Sequence, residues 1–178
     1  MRPNLQSPRP RAVLFSLLTA ALAVGLSSMP AAAQSPQATT DADTGTVWWN
    51  ELISANPDRS RDFYSSVLGW SPKIVAADDN SRPPAPGESA YTLFMANGTE
   101  SAGLTKYEGK DPNDPKPGWL MYVQVADVDN AVIEALRKGG KVLKAPTDAA
   151  KVGRIAVIQD LDGNALGLYA PIKVPPTQ

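Results

Sequence analysis

One plan is written twice in this sequence: an aromatic or apolar strand, an acidic turn, a short amphipathic helix ending in glycine, then three more strand-like runs. The first copy opens with Val47-Trp48-Trp49-Asn50-Glu51-Leu52, passes through Asn56-Pro57-Asp58-Arg59-Ser60 and reaches Phe63-Tyr64 and Leu68-Gly69-Trp70. The second opens with Trp119-Leu120-Met121-Tyr122-Val123-Gln124-Val125, passes through Asp127-Val128-Asp129 and reaches Val132-Ile133, Ala135-Leu136 and Gly139-Gly140. A repeat of this length constrains the architecture more than any single residue can, because each copy has a face it cannot cover alone.

The local signals predict the elements. Trp48 to Ser54 reads as a strand, and Asn56 is a helix N-cap with Pro57 at the first helical position. The helix runs to about Leu68. Ser60, Phe63, Tyr64, Val67 and Leu68 give it a face to bury, and Gly69 ends it. Strands follow at Lys73 to Ala77, Tyr91 to Ala96 and Ser101 to Tyr107, the last two joined by Asn97-Gly98, a two-residue hairpin signal. That turn also accounts for the sequon Asn97-Gly98-Thr99. The second copy predicts a strand at Trp119 to Ala126 and a helix from about Val128 to Lys138 capped by Asp127. Strands at Lys141 to Ala145, Arg154 to Asp160 and Ala165 to Ala170 complete it, with a turn at Asp162-Gly163. Of two proline-rich loops, Asp78 to Ser89 and Gly109 to Gly118, the first reads chiefly as variable surface, with a pocket rim or lid as the alternative.

Each copy is thus a βαβββ module. The fold class is α+β, with the modules about 46–108 and 118–172 joined side by side into a curved eight-stranded mixed sheet, helices on the outer face and a cup inside. A single domain over 46–172 suits a chain of 178 residues with 43% hydrophobic content.

The ends carry other information. Basic residues to Arg11 precede the apolar run Ala12 to Leu26, which closes on Ala31-Ala32-Ala33, so residues 1–33 read as a signal peptide cleaved after Ala33. Residues 34–45 read as a flexible linker, the lead extending to Thr46, and 173–178 as a disordered tail. The expected location is the periplasm or exterior of a bacterium, with no membrane attachment once the signal is removed. Without cysteine the exported domain has no disulfide and relies on its apolar core. Arg2, Arg9 and Arg11 account for much of the near-balance of 17 basic and 18 acidic residues. The remainder is net acidic, with no electrostatic footprint for nucleic acid.

Three stretches in order, Arg59-Ser60-x-Asp62-Phe63-Tyr64-x-x-x-Leu68-Gly69-Trp70, Tyr122-x-x-Val125-x-Asp127-Val128-Asp129 and Gly153-Arg154-x-Ala156-x-x-x-Asp160-x-Asp162-Gly163, resemble the vicinal oxygen chelate superfamily. This glyoxalase, bleomycin resistance and dioxygenase group is resembled over about Thr46 to Pro171. The resemblance implies a divalent metal in the cup, held by four side chains from the first and last strands of each module. Here those positions fall at Trp49, near Ala102, at Leu120 and at Gly167, none of which coordinates through a side chain. The chain has no His at all, so neither an imidazole ligand nor an imidazole base is available. No cofactor is expected. A divalent metal held by other oxygens stays open, although Asp160-x-Asp162-Gly163-Asn164 reads as a turn, not a calcium loop.

Strand alternation supplies the candidate site. With Trp49, Leu120 and Gly167 marking the cup surface, Glu51 and Ile53, Tyr122 and Gln124, and Ala165 and Tyr169 share it. The ligand-binding candidates are Trp49, Glu51, Tyr122, Gln124 and Tyr169, with Glu51 the one candidate for catalysis. An apolar hollow with convergent Glu, Gln and Tyr suits a small aromatic or amphipathic ligand. The rival is a glyoxalase- or dioxygenase-like lyase or isomerase with Glu51 as base and an atypical metal or none. A third reading is a homodimer or interaction domain without a ligand.

Overall fold

The repeat folds as two successive modules in the computed structural model, which describes residues 43–149 and 152–171. The first contains β1 (Val47–Ser54), α1 (Pro57–Leu68), β2 (Ser71–Ala76), β3 (Ala90–Ala96) and β4 (Thr99–Lys106). The second contains β5 (Gly118–Gln124), α2 (Val128–Arg137), β6 (Lys141–Ala149), β7 (Gly153–Gln159) and β8 (Ala165–Ala170). The expected leader, most of the linker and the tail lie outside the described residues. Neither described helix is long and apolar enough to cross a membrane.

Local chemistry explains the boundaries. Asn56 Oδ1 accepts from the Arg59 amide at 3.0 Å, and Gly69 closes α1 at φ 68°. Asp127 caps α2 by accepting from the Asn130 amide at 2.9 Å. Asn97 and Gly98 take φ 51° and 77° between paired Ala96 and Thr99, the left-handed turn that suits the twist of a hairpin. The lead expected to be flexible through Thr46 becomes ordered earlier. The Gly45 amide donates to the Gln124 carbonyl at 2.8 Å, and the Gln124 amide donates to the Thr46 carbonyl at 3.0 Å. β6 continues past the expected Ala145 because edge-strand bulges accommodate Pro146, which has no amide proton for the ladder.

All eight strands form one mixed sheet in the order β2-β3-β4-β1-β5-β8-β7-β6. β1 runs parallel to β4, β5 runs parallel to β8, and β1 and β5 pair antiparallel at the centre. The modules therefore meet within one chain. At the seam Asn50 lies opposite Met121. The same shift along the sequence that carries Asn50 onto Met121 carries Glu51 onto Tyr122. Their partners correspond too: Glu51 lies beside Gly103, and Tyr122 beside Gly167.

Both sheet faces carry cores. On the helix side, Val128 and Val132 of α2 pack on Ala156, Leu168 and Ala170, while Leu52, Phe94, Ala102 and Leu104 meet Tyr64 and Trp70. On the other face, Ile53, Leu120 and Val157 cluster with Tyr107, Tyr122, Leu143 and Ala165. The expected burial of α1 is not met. None of its residues is buried, and Phe63, Val67 and Leu68 are 58%, 61% and 49% exposed. The helix instead rests on the sheet through Ser60, whose hydroxyl lies 2.7 Å from that of Ser54, and through Tyr64, which accepts from Trp119 Nε1 at 3.0 Å. The Phe63–Val67 stripe is displaced one position around the helix from Ser60 and Tyr64, enough to turn it outward.

Candidate functional site

The aromatic start of β1 organises the cup by breaking the alternation of the strand. Val47 pairs with Val123 and Trp49 with Tyr122, so Trp48 is an extra residue opposite the step from Val123 to Tyr122. Such a bulge redirects a side chain that strict alternation would send to the other face. Trp48 consequently stacks on Tyr169 at 3.8 Å and 10°, meets Tyr122 edge-on at 6.5 Å, and lies 6.3 Å from Trp49. Trp48 was missed as a site residue because period two assigned it away from the cup. The doublet Trp48-Trp49 at a strand start was the available signal.

Beside this cluster runs a hydrogen-bond chain centred on Glu51. Trp49 Nε1 donates to the Tyr91 hydroxyl at 3.1 Å. Tyr91 in turn hydrogen-bonds the Glu51 carboxyl, and Tyr122 donates to Glu51 Oε2 at 3.4 Å. Burial raises the Glu51 carboxyl above its ordinary 4.5, and the phenol hydrogen bonds pull it back only in part. Both phenols are also raised, first by burial and then by the Glu51 charge, so they remain protonated donors. Among the described ion pairs none includes Glu51. Tyr91 was the second unrecognised member. It sits on β3, beyond the first and last strands of each module on which the sequence reading concentrated.

A cavity of about 210 Å³ opens from this point. Glu51 and Ile53 of β1, Leu120 and Tyr122 of β5, and Val157 of β7 line it, with Thr105 and Lys106 at the end of β4. Tyr107, Glu108, Asp114 and Pro115 enclose it from the loop between β4 and β5, while Lys144 of β6 completes the lining and ion-pairs with Asp114. Of the sequence candidates, the fold brings Glu51 and Tyr122 to this cavity. Trp49 acts on Glu51 through Tyr91, Tyr169 lies under Trp48, and Gln124 stands outside the lining with its backbone tied to Gly45 and Thr46. Loop 78–89, read chiefly as surface, contributes nothing to the lining. It is clasped on itself, Arg82 Nη1 donating to Glu88 Oε2 at 2.7 Å. The second proline-rich loop supplies the rim.

The donor set does not fit the metal that the sequence resemblance implies. Trp49 and Leu120 offer no ligand atom. The position expected near Ala102 is that of Gly103, which faces the cup, while Ala102 itself is buried against Leu52 and Phe94 on the helix side. A Cβ on Gly103 would meet the Tyr91 hydroxyl at 1.7 Å, and one on Gly167 would meet the Tyr122 ring at 2.3 Å. Two glycines thus make room for two tyrosines. Among the described residues no group of three or more His, Cys, Asp or Glu is placed to hold a metal ion. Asp160 instead accepts from the amides of Asp162 at 2.9 Å and Asn164 at 2.8 Å, closing its turn.

The chain is similar to known proteins. The Glyoxalase/Bleomycin resistance protein/Dioxygenase superfamily matches residues 47–168. The protein named "Putative glyoxylase CFP32" of Mycobacterium tuberculosis is 32% identical over 142 residues, 76% of this chain and 47% of that protein. "Anthracycline biosynthesis protein DnrV" of Streptomyces peucetius is 26% identical over 136 residues, 70% of this chain and 46% of that protein. The chain spans about half the length of both curated relatives. A manganese-bound glyoxalase from Novosphingobium aromaticivorans has a TM-score of 0.48 at 14% identity, covering 75% of this chain and 43% of that one.

Proposed function

The chain belongs to the Glyoxalase/Bleomycin resistance protein/Dioxygenase superfamily, and on that premise we propose that its cup binds a small aromatic or amphipathic molecule without help from a metal. The observation that carries this reading is the Glu51 carboxyl, set among phenols at the wall of a cavity otherwise formed largely by Ile53, Leu120, Tyr107, Tyr122 and Val157. Apolar walls supply affinity and one polar cluster fixes orientation, the usual division of labour in small-molecule sites. At about 210 Å³ the cavity suits one ring with a short substituent.

The test is thermal unfolding of the purified chain with a panel of small aromatic compounds, with and without EDTA. A ligand that binds only the folded state raises its stability by mass action. Stabilisation is expected to persist in chelator and to vanish in Leu120→Trp, which fills the cavity. Stabilisation abolished by EDTA, or retained in full by that variant, would overturn the reading. A catalytic alternative rests on the raised Glu51 carboxyl, a better proton acceptor than an ordinary one once ionised. Turnover of a bound carbonyl compound that disappears in Glu51→Gln would favour it. Export belongs to the same proposal, supported by the basic start, the apolar run and Ala31-Ala32-Ala33. Protein recovered from a bacterial host's periplasm or medium is then expected to begin at Gln34.

A further inference from the structure

The charges around the cavity do not balance. Glu51, Glu108 and Asp114 line it as carboxylates, Lys106 and Lys144 as ammonium groups. Asp114 engages Lys144, with Asp111 a further 3.9 Å partner. Glu108 lies 3.1 Å from Lys110 and 3.8 Å from Lys106. Glu51 remains, on the sheet floor, with only phenols as its partners among the described residues. A carboxylate offers about four acceptor positions, and two phenols occupy two of them. A partly buried charge in this state is costly until an opposite charge reaches it.

Resting on the reading of the cup as a ligand site, we infer that its occupant is a small organic cation, a primary or secondary ammonium on an aromatic or aliphatic body, with its N–H groups on the Glu51 carboxylate. An ammonium supplies both things that Glu51 lacks, positive charge and further donors. The rings of Tyr107 and Tyr122 line the same space and offer negative faces to a cation. An acceptor-only ligand, such as a carboxylate, faces the lone pairs of Glu51. The two lining lysines do not oppose the cation as free charges would, because Asp114 engages Lys144 and Lys106 shares Glu108 with Lys110.

The inference fixes a pH response. The groups facing Glu51 are Tyr91 from β3, Tyr122 from β5, Lys106 from β4, Tyr107, Glu108 and Asp114 from the loop, and Lys144 from β6. Of these, Glu108 and Asp114 are held low by their lysines and are already ionised where Glu51 titrates. Affinity for the cation therefore rises as pH climbs through the Glu51 titration, levels off above it, and falls again only where the ligand's own ammonium loses its proton, at about 10 as for a lysine.

The experiment titrates the full chain with phenethylammonium, 2-phenylethanol and phenylacetate, read by calorimetry and tryptophan fluorescence. The ammonium compound is expected to bind at least about tenfold more tightly than the alcohol, as a charge-assisted hydrogen bond exceeds a neutral one, and phenylacetate more weakly than either. Glu51→Gln should erase that preference, so that the ammonium compound and the alcohol bind alike. Tyr122→Phe, which keeps the carboxylate, should retain it. Equal binding of alcohol and ammonium, or a preference that survives Glu51→Gln, overturns the cation class alone. If none of the three compounds perturbs the wild-type chain, the cup reading falls with it.

Discussion

At the scale of single residues, the site depends on glycines as much as on the groups with chemistry. Gly103 leaves the space that the Tyr91 hydroxyl and Trp49 Nε1 occupy, and a methyl there would lie 1.7 Å from the first and 3.0 Å from the second. Gly103→Ala is expected to cost about 1–3 kcal/mol, the usual cost of overpacking, and to detach Tyr91 from Glu51. Urea denaturation and tryptophan fluorescence would register both, and an unchanged midpoint would contradict the close packing. The Glu51 carboxyl adds a pH prediction. Its folded value is raised, so the stability it contributes is complete below 4.5 and is lost as pH rises through the folded value. Glu51→Gln should remove that decline, gaining on the wild type as pH rises above 4.5 and then running parallel to it. Glu51 and Tyr122 were legible in the sequence because Trp49 and Leu120 fixed the parity of β1 and β5. Trp48 was not, since a bulge reverses parity without leaving a mark in composition. The position near Ala102 shows why such a reading needs its exact residue, because a step of one in a strand changes the face.

Among the elements, those read from local backbone chemistry agree closely with the structure, and those read for packing do not. The caps at Asn56 and Asp127, the stop at Gly69 and the turn at Asn97-Gly98 each depend on nearby atoms that the sequence specifies. The role of a loop depends on distant partners. Loop 78–89 is occupied internally, Arg82 binding Glu88 through both terminal nitrogens, whereas 109–117 is drawn to β6 by Lys144 and encloses the cavity. The first arrangement predicts an acid response opposite to that of Glu51. Hydrogen bonding to Arg82 lowers Glu88 from 4.5 to about 2, so its contribution is present above 4.5 and is lost as pH falls toward 2. Glu88→Gln should flatten the stability profile across that window while leaving ligand binding at neutral pH untouched. Thermal unfolding from pH 5 to 2 would measure it, and a loss confined to higher pH would contradict the assignment. The exposed Phe63 and Val67 show the same dependence on distant partners: helical period identifies a stripe, but only the Ser60 and Tyr64 contacts decide which side of it faces the sheet.

For the molecule as a whole, the repeat was sufficient to specify the architecture because neither module can cover its own first strand. β1 and β5 solve that problem for each other, pairing antiparallel from Val47 opposite Val123 to Ile53 opposite Gly118 and making one sheet from two units. Leu120 stands at this seam. It is 3% exposed and packs on Ile53 from the first module and Val157 from the second. Leu120→Ala should therefore cost about 2–5 kcal/mol, as truncation in a closed core does, and the loss should be shared by both halves. Tryptophan fluorescence follows mainly the first module through Trp48, Trp49 and Trp70, while far-UV circular dichroism follows all the strands and helices. If the seam couples the modules into one cooperative unit, both signals shift to the same lower midpoint in the variant. If fluorescence keeps its wild-type midpoint while dichroism loses part of its amplitude early, the modules unfold separately. In that case the cup, which takes Glu51 from one module and Tyr122 from the other, has no common scaffold to hold it.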